Sequence, residues 1–361
     1  MKINFITNYK NDSIFSSDQY GHYSAPFSLA REILEQKGYG IFENHDPNEC
    51  HINIYRDLPI NHGPNDLNIN SINILHIWES PVDRPYLFNN ENWLHFDLLA
   101  SAYLYKNHHK INYFSDITLD EKIFIEFSKR KLACALCSNR YDGILAPRRS
   151  GQGIFGLPIL QRFNLHWHNN LFDILNDRSN SLYSTRRKYL KDRSTIFDLY
   201  GKFWEKNDRQ TWLPLLSYLP RESFNSLGRE IPDKQKLVSQ YRFCFAFENA
   251  SPGNGYHSEK IHDAFHCLSV PIYYGDDSIF NLVPDNTIIY IDRKYTPLKL
   301  KEIVNSYTEE SWMDMIMNIK NFISSAEYKN EYSKKAICNQ IIALVDKAHK
   351  MYKEKNINIV I

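Results

Sequence analysis

The N-terminal third of the chain alternates short apolar runs with one stretch of helical periodicity. Apolar runs of strand length cover Lys2–Thr7, Gly40–Glu43, His51–Tyr55 and Ile72–Trp78. Between the first two runs, the spacing of apolar residues predicts an amphipathic helix over Ala25–Gln36. This alternation is typical of parallel sheets that carry helices on both faces.

The second half of the chain contains the clearest pattern. Tyr241–Phe247 is an aromatic-rich run of strand length, and a loop rich in Gly, Pro and Asn follows at Glu248–Tyr256. Ser258 suits a helix N-cap, apolar residues then recur at helical spacing, and Val270–Tyr274 is a second strand. A strand, a helix and a strand in this order predict a βαβ unit with parallel pairing.

Helical periodicity dominates the C-terminal end. It predicts helices over Leu298–Ser306, Glu310–Ser324 and a long Ala326–Glu354. A further polar helix is predicted over Asp120–Arg130, where it would bridge two domains.

A chain of 361 residues is longer than most chains that fold around a single hydrophobic core, so we expect two domains. The pattern places the first at 1–128 and the second at 129–345. Residues 346–361 form a C-terminal helix or tail in this interpretation.

The loop and helix start after Phe247 are expected to bind a phosphate. Ligands of open α/β sheets lie beyond the carboxyl ends of the strands, which is where this loop falls. A helix N-terminus attracts anions, and Lys260 adds a positive charge in the first turn.

The same stretch resembles the family of α1,3/4-fucosyltransferases, and most closely its bacterial members. The matching elements are Phe247–Ala250, Tyr256–Lys260 and Val270–Ile272, with Ala250 in place of the usual Ser and Ser258 in place of Thr. The resemblance implies the α/β GT-B architecture: two Rossmann-like parallel-sheet domains facing a cleft. The acceptor would bind in the first domain and the nucleotide sugar, GDP-fucose, in the second.

The resemblance also implies the donor-binding residues. They are Asn249, Tyr256, Ser258, Glu259 and Lys260, where Glu259 would hold the ribose or stabilise positive charge on fucose. An arginine on the helix predicted at Ser184–Lys191 would bind the diphosphate together with Lys260. Spacing favours Arg186, with Arg187 second, and with Arg148 and Arg149 as distant alternatives. An insertion at about 140–182, absent from most of the family, separates this helix from the preceding strand.

Glu79 is the candidate catalytic base. It follows the predicted strand Ile72–Trp78, and Glu79-Ser80-Pro81 is similar to a Glu-Ser-Pro element of the same family. Pro81 disfavours helix at Ser80, so Glu79 would stand at a strand end, facing the cleft. Transfer of a sugar to an alcohol with inversion needs a base for the hydroxyl proton. Glu91 and Asp83 are the alternatives.

Three other patterns do not indicate a metal or a cofactor. Cys134-x-x-Cys137 lies inside a predicted buried strand with no second pair, so neither zinc nor redox chemistry is expected. The sequence Gly151–Gly156 matches Gly-x-Gly-x-x-Gly without a strand before it, which favours a loop. The histidines at 166 and 168 lack accompanying metal ligands. We therefore expect no metal and no cofactor apart from the donor substrate.

Charge and hydropathy limit the partners. A net charge of +1 provides no broad field for nucleic acid. No apolar run approaches membrane-spanning length, and Met1-Lys2 leads directly into a strand-like run instead of a signal peptide. The expected location is cytoplasmic or peripheral to the inner membrane, with at most peripheral membrane contact.

Taken with the resemblance, these patterns predict an inverting glycosyltransferase that moves L-fucose from GDP-fucose to an oligosaccharide acceptor. The resemblance implies O3 or O4 of GlcNAc in a lactosamine-type glycan, within surface-glycan or lipopolysaccharide synthesis. One alternative is a GT-B enzyme that uses another nucleotide sugar, because fold and phosphate turn do not identify the sugar. The other is a non-catalytic protein that binds a sugar nucleotide or a glycan.

Overall fold

The structure is a computed structural model, and the residues it describes form two compact units. The described residues are 1–7, 13–16, 24–58, 63–79, 90–115, 117–139, 181–191, 195–202, 204, 224–228, 231, 233–251, 253 and 255–360. Described residues of 1–115 and 326–360 form the first unit, and those of 117–139 and 181–325 form the second.

The described residues contain twelve strands and nine α-helices. The strands are β1 (Lys2–Thr7), β2 (Gly40–Glu43), β3 (Ile52–Arg56), β4 (Ile72–Ile77), β5 (Leu98–Ser101), β6 (His109–Lys110), β7 (Lys131–Leu136), β8 (Phe197–Tyr200), β9 (Ser226–Gly228), β10 (Tyr241–Phe247), β11 (Val270–Tyr274) and β12 (Ile289–Tyr290). The helices are α1 (Ala25–Gln36), α2 (Asn90–Trp93), α3 (Tyr183–Leu190), α4 (Lys234–Val238), α5 (Glu259–His266), α6 (Pro297–Ser306), α7 (Glu309–Ser324), α8 (Ala326–Tyr332) and α9 (Lys334–Val360). None of the helices in the described part of the chain is long and apolar enough to cross a membrane.

The first unit is built on a six-stranded sheet in the order β2-β1-β3-β4-β5-β6, and every pairing in it is parallel. All six residues of β4 are buried, as expected for a central strand covered on both faces. Because parallel strands end at the same edge, Arg56 at the end of β3 and Glu79 after β4 lie at the carboxyl edge of this sheet.

The second unit repeats this plan with a sheet in the order β12-β11-β10-β7-β8-β9, also wholly parallel. Strand β10 is central, between β11 and β7. Its four aromatic residues are buried and occupy alternate positions, so they share one face of the sheet. Helix α5 connects β10 to β11 as the crossover of the predicted βαβ unit. The loop at 248–258 therefore lies at the carboxyl edge of this sheet.

The core of the first unit uses both ends of the chain. Apolar residues of β1, β3 and β4 pack with α1 and with the C-terminal helix α9 in a single cluster. From α9 this cluster receives Ile337, Cys338, Ile341, Leu344, Val345 and Ala348. Helix α9 is thus part of the first unit, although it follows the second in sequence.

The sheets confirm the predicted α/β organisation, but two predicted helices were wrong. Residues 120–130 form two short 3₁₀ turns, Glu121–Ile123 and Phe127–Lys129, instead of one polar helix. The helix predicted over Ala326–Glu354 is interrupted at Ser333, whose Oγ accepts a hydrogen bond from Ala336 N at 3.1 Å and so begins a new helix.

The two compact units also differ from the predicted domain boundaries. Residues 117–128 group with the second unit, whereas 326–345 group with the first because they carry α8 and the start of α9. Of the insertion predicted at about 140–182, residues 140–180 lie outside the described part of the chain. The acceptor and donor roles of the two domains stay predictions.

Candidate active site

The turn after β10 is organised by Glu248, a residue whose side chain is 0% exposed. Its Oε1 accepts a hydrogen bond from Ser258 N at 2.8 Å, and its Oε2 accepts one from Ser258 Oγ at 2.7 Å. Its own N–H donates to Tyr274 O at 2.9 Å, which fixes the end of β10 against β11. Glu248 therefore links both strands of the βαβ unit to the start of α5.

Lys260 completes this cluster. Its Nζ lies 3.2 Å from Glu248 Oε2 and donates to Ser258 Oγ at 2.7 Å, with 18% of the side chain exposed. The buried carboxylate is thereby paired, as burial of a charge requires. The hydroxyl of Ser258 is engaged by these two groups and makes no side-chain cap, although Ser258 does occupy the N-cap position.

Arg186 is hydrogen-bonded directly to the loop after β10. Its Nη1 donates to Asn249 Oδ1 at 2.6 Å, and its side chain is buried against the ring of Tyr183. The backbone supports this contact, since Leu182 N donates to Asn249 O at 3.0 Å and Ser181 bridges Ala250. The start of α3 is thus fixed against the loop after β10.

The other candidates around this loop occupy different environments. Arg187 is half-buried on α3, whereas Arg148 and Arg149 lie outside the described residues. Tyr256 is buried, and its backbone oxygen accepts from Tyr273 Oη at 3.4 Å. Glu259 is half-buried in the first turn of α5.

Two glycines shape the loop itself. Gly253 has φ +84° and Gly255 has φ +75°, a backbone region that L side chains rarely adopt. A side chain at either position would therefore strain the segment that leads to Tyr256 and the start of α5.

Glu79 is half-buried just after β4, in a backbone segment held by three buried side chains. Asp57 Oδ1 accepts from Trp78 N at 2.9 Å and from Glu79 N at 3.2 Å. Tyr103 Oη donates to Glu79 O at 3.2 Å, and Tyr113 Oη donates to Trp78 O. Both the N–H and the carbonyl oxygen of Glu79 are thus held by hydrogen bonds, which fixes its backbone.

Asp57 has a strained backbone, with φ +62°, which is uncommon for a residue other than glycine. Strain of this kind persists where surrounding bonds determine the conformation, often at functional sites.

The two alternatives to Glu79 as the base lie elsewhere. Glu91 is exposed in the short helix α2, and Asp83 lies outside the described residues.

Glu248 and Asp57 were not predicted as site residues from the sequence. Glu248 could have been found, because it lies within the matched Phe247–Ala250 element. Asp57 carries no signal in the sequence, since its two partners come from the next strand of the sheet.

The cysteines are free thiols in largely apolar surroundings. Burial raises the pKa of Cys134 and of Cys267 well above the usual value, which disfavours the thiolate. The described residues contain no group of three or more His, Cys, Asp or Glu side chains that could hold a metal ion.

A family model matches much of the second unit together with α8 and α9 of the first. Residues 186–358 match the family described as "Glycosyltransferase family 10 (fucosyltransferase) C-term". The match covers just under half of the chain, and this C-terminal part is similar to glycosyltransferase family 10. The predicted fucosyltransferase family is thus confirmed, and its matched range contains Arg186, the loop after β10 and Lys260. Glu79 lies outside it.

Two curated relatives match the chain over limited segments. The α-(1,3)-fucosyltransferase FucT of Helicobacter pylori is 44% identical over 55 residues, which cover 15% of the chain and 11% of that protein. A GDP-fucose protein O-fucosyltransferase 3 of Danio rerio is 32% identical over 132 residues, or 36% of the chain and 26% of that protein. The matches therefore span only about a tenth and a quarter of these relatives' lengths.

Solved structures show the fold over nearly the whole chain. A crystal structure of an α1,3-fucosyltransferase covers 96% of the chain and 89% of its own length, with a TM-score of 0.57 and 14% identity. A second, of an α1,3-fucosyltransferase with GDP, gives the same coverage with a TM-score of 0.53. At this identity the likeness concerns the fold, and it confirms the GT-B architecture of two parallel-sheet α/β domains.

Proposed function

We propose that this protein is an inverting fucosyltransferase that moves L-fucose from GDP-fucose to a hydroxyl group of a saccharide acceptor. The observation that carries the proposal is the convergence of Arg186 and Lys260 on the turn after β10. Both cations stand at the carboxyl edge of the second sheet, beside the N-terminus of α5, inside the matched fucosyltransferase range.

In this proposal Arg186 and Lys260 bind the diphosphate of the donor. Planar guanidinium groups suit paired phosphate oxygens, whereas lysine acts as a point charge. When the bond between fucose and the diphosphate breaks, negative charge accumulates on the leaving group, and fixed cations stabilise it. Asn249 orients Arg186, and Glu248 orients Lys260, so neither cation has to reorganise during the reaction. A metal ion is not required for this step.

Glu79 is proposed as the base. It accepts the proton of the acceptor hydroxyl as the oxygen attacks the anomeric carbon of fucose, so the configuration at that carbon inverts. Asp57 acts as a positioning residue in this proposal: its carboxylate accepts a hydrogen bond from the backbone N–H of Glu79, and we assign it no contact with a substrate. Tyr256, Ser258 and Glu259 complete the donor site in this scheme.

For the acceptor, we propose O3 or O4 of GlcNAc in a lactosamine-type oligosaccharide, within surface-glycan or lipopolysaccharide synthesis in the cytoplasm. The H. pylori relative, an α-(1,3)-fucosyltransferase, supports this choice. A protein acceptor is the second candidate, because the longer match is to a GDP-fucose protein O-fucosyltransferase 3. Both relatives are named as fucosyltransferases, and the two candidates share the donor.

A titration followed by a transfer assay tests the proposal. Calorimetric titration with GDP-fucose, GDP-mannose and UDP-GlcNAc should show tightest binding for GDP-fucose; preference for another nucleotide sugar would identify a different GT-B enzyme. Labelled GDP-fucose is then offered with N-acetyllactosamine or with a folded protein domain, each with and without EDTA. Transfer that persists in EDTA is expected. Tight donor binding without any transfer or hydrolysis would indicate a non-catalytic binding protein.

A further inference from the structure

Arg56 occupies a conspicuous position at the carboxyl edge of the first sheet. It is the last residue of β3, and its guanidinium lies 4.2 Å from the ring centroid of Trp78 and 5.6 Å from that of Phe27. Trp78 directly precedes Glu79. The side chain of Arg56 is half-buried, and the tryptophan it packs against leads directly to the proposed base.

The charge of Arg56 is not compensated by the described residues. Its side chain makes no hydrogen bond and no ion pair with them, and its Nε is buried without an acceptor. The neighbouring Asp57 is occupied by the N–H groups of Trp78 and Glu79. Charged groups that leave water are normally paired, and this half-buried guanidinium has no such partner among the described residues.

The groups around Arg56 are consistent with an anion site. The first turn of α1, which carries Phe27, has no acidic residue. His76 packs against both Phe27 and Trp78, with ring centroids 6.0 and 5.5 Å away. Burial, together with the positive charge of Arg56, lowers the pKa of His76 to about 3.

We propose that Arg56 is a specificity-determining residue of the acceptor site and binds the carboxylate of an acidic sugar. Stacking on Trp78 fixes the plane of the guanidinium and leaves its N–H edge for two parallel bonds to a carboxylate. The acidic sugar would lie next to the residue whose hydroxyl loses its proton to Glu79. This inference rests on the proposed function, and it adds that the preferred acceptor is anionic.

Matched acceptors test the inference. N-acetyllactosamine is compared with its sialylated form, and a glucose-terminated disaccharide with its glucuronate analogue, so the second pair separates a nonulosonate source from a hexuronate source. In at least one pair the wild-type protein should have a KM about tenfold lower for the acidic member, which corresponds to one charge-assisted contact. Equal KM values within both pairs would overturn the proposal.

Substitution then assigns the preference to Arg56. Arg56→Gln should make the KM values of the acidic and neutral acceptors equal. Arg56→Lys should retain part of the difference, because the charge stays but the planar guanidinium that can form two parallel hydrogen bonds is lost. Arg31→Gln, at an exposed arginine that pairs with Glu35, is the matched control and should retain the full ratio. Full preference in a folded Arg56→Gln variant would contradict the assignment.

The experiment separates failure of this inference from failure of the proposed function. If GDP-fucose is neither bound nor consumed, the proposed function fails, and binding of the acidic and neutral disaccharides alone is measured by calorimetry. Selective binding of the acidic sugar that Arg56→Gln removes would still support the anion site. Should Arg56→Gln fail to fold, the comparison of the wild-type protein with Arg56→Lys decides whether Arg56 causes the preference, through the ratio of KM values for acidic and neutral acceptors.

Discussion

Arg186 Nη1 donates to Asn249 Oδ1 at 2.6 Å, and this bond joins α3 to the loop after β10. The arginine is therefore held in one orientation before any donor arrives. Preorganised cations need little rearrangement when negative charge develops, which is why they contribute strongly to catalysis. The bond also distinguishes Arg186 from its neighbour Arg187 on the same helix.

Arg186→Ala should lower kcat/KM for GDP-fucose by about 100-fold or more, because the leaving diphosphate loses a fixed donor. GDP affinity should fall as well. Arg187→Ala is the matched comparison, one position along α3, and should have a much smaller effect. Steady-state kinetics and calorimetry measure both quantities. The opposite ranking of the two variants would transfer the role to Arg187.

Lys260→Ala should reduce GDP-fucose binding and turnover together, since the cation serves both the ground state and the transition state. The substitution also leaves the buried Glu248 without its cation, which would destabilise the fold. The double variant Lys260→Ala/Glu248→Gln removes that buried charge. If the double variant regains donor affinity, Lys260 acts on structure alone; continued loss places it against the diphosphate.

Glu79→Gln should lower turnover by about a hundred- to ten-thousand-fold, the contribution of a general base. GDP-fucose affinity should stay near the wild-type value, because this base acts on the acceptor. Glu91→Gln, at an exposed carboxylate, is the control. Near-normal turnover in Glu79→Gln would move the role to another carboxylate, Glu91 or Asp83 first, and loss of donor binding alone would make Glu79 a donor-site residue.

Asp57→Ala should lower kcat with little change in the KM for GDP-fucose, because Glu79 loses a bond that positions it. The backbone N–H groups of Trp78 and Glu79 would lose their acceptor, at a cost of about 1–3 kcal/mol of stability each. Asp57→Asn keeps an acceptor oxygen and tolerates a positive φ, so it should restore most of both quantities. A purely structural role would change the unfolding midpoint while leaving the kcat of the folded enzyme intact.

Stability should decrease as the solution is acidified below about pH 6.5. Burial lowers the pKa of His76 to about 3 and that of His108 to about 4, so both are neutral in the fold but protonate readily once unfolded. The unfolded chain thus binds more protons, and the free energy of unfolding falls with falling pH. His76→Leu should reduce this slope by about 1.4 kcal/mol per pH unit. Urea unfolding between pH 7 and pH 5 measures it, with the exposed His45→Gln as control.

The sequence pattern predicted β10 and α1 with the bounds that the structure has, because each has strong local periodicity between clear ends. It could not predict residues 120–130. There Phe124 and Phe127 pack on Trp312, with centroids 6.4 and 5.6 Å from its ring, so a tertiary contact determines the backbone. Short edge strands such as β6 have too few residues for a recognisable period.

The candidate site, too, could be predicted only in part from the sequence. Lys260, Asn249 and Arg186 were predicted because they lie in or near motifs, although only the structure joins Arg186 to Asn249. Asp57 and Arg56 act through residues more than twenty positions away on the next strand. Contacts of that kind depend on strand order and register, which local patterns do not encode.

The return of α9 to the first unit has a consequence for biosynthesis. Leu34 and Phe27 of α1 share a core with Ile341 and Leu344, residues that the ribosome adds some three hundred positions later. The second unit, whose described sheet lies between residues 131 and 290, has all its strands available before then. Although domains often fold in the order of their synthesis, here the core shared by the N-terminal sheet and α1 stays incomplete until α9 emerges. The protein should therefore depend on chaperones during translation and tolerate C-terminal truncation poorly.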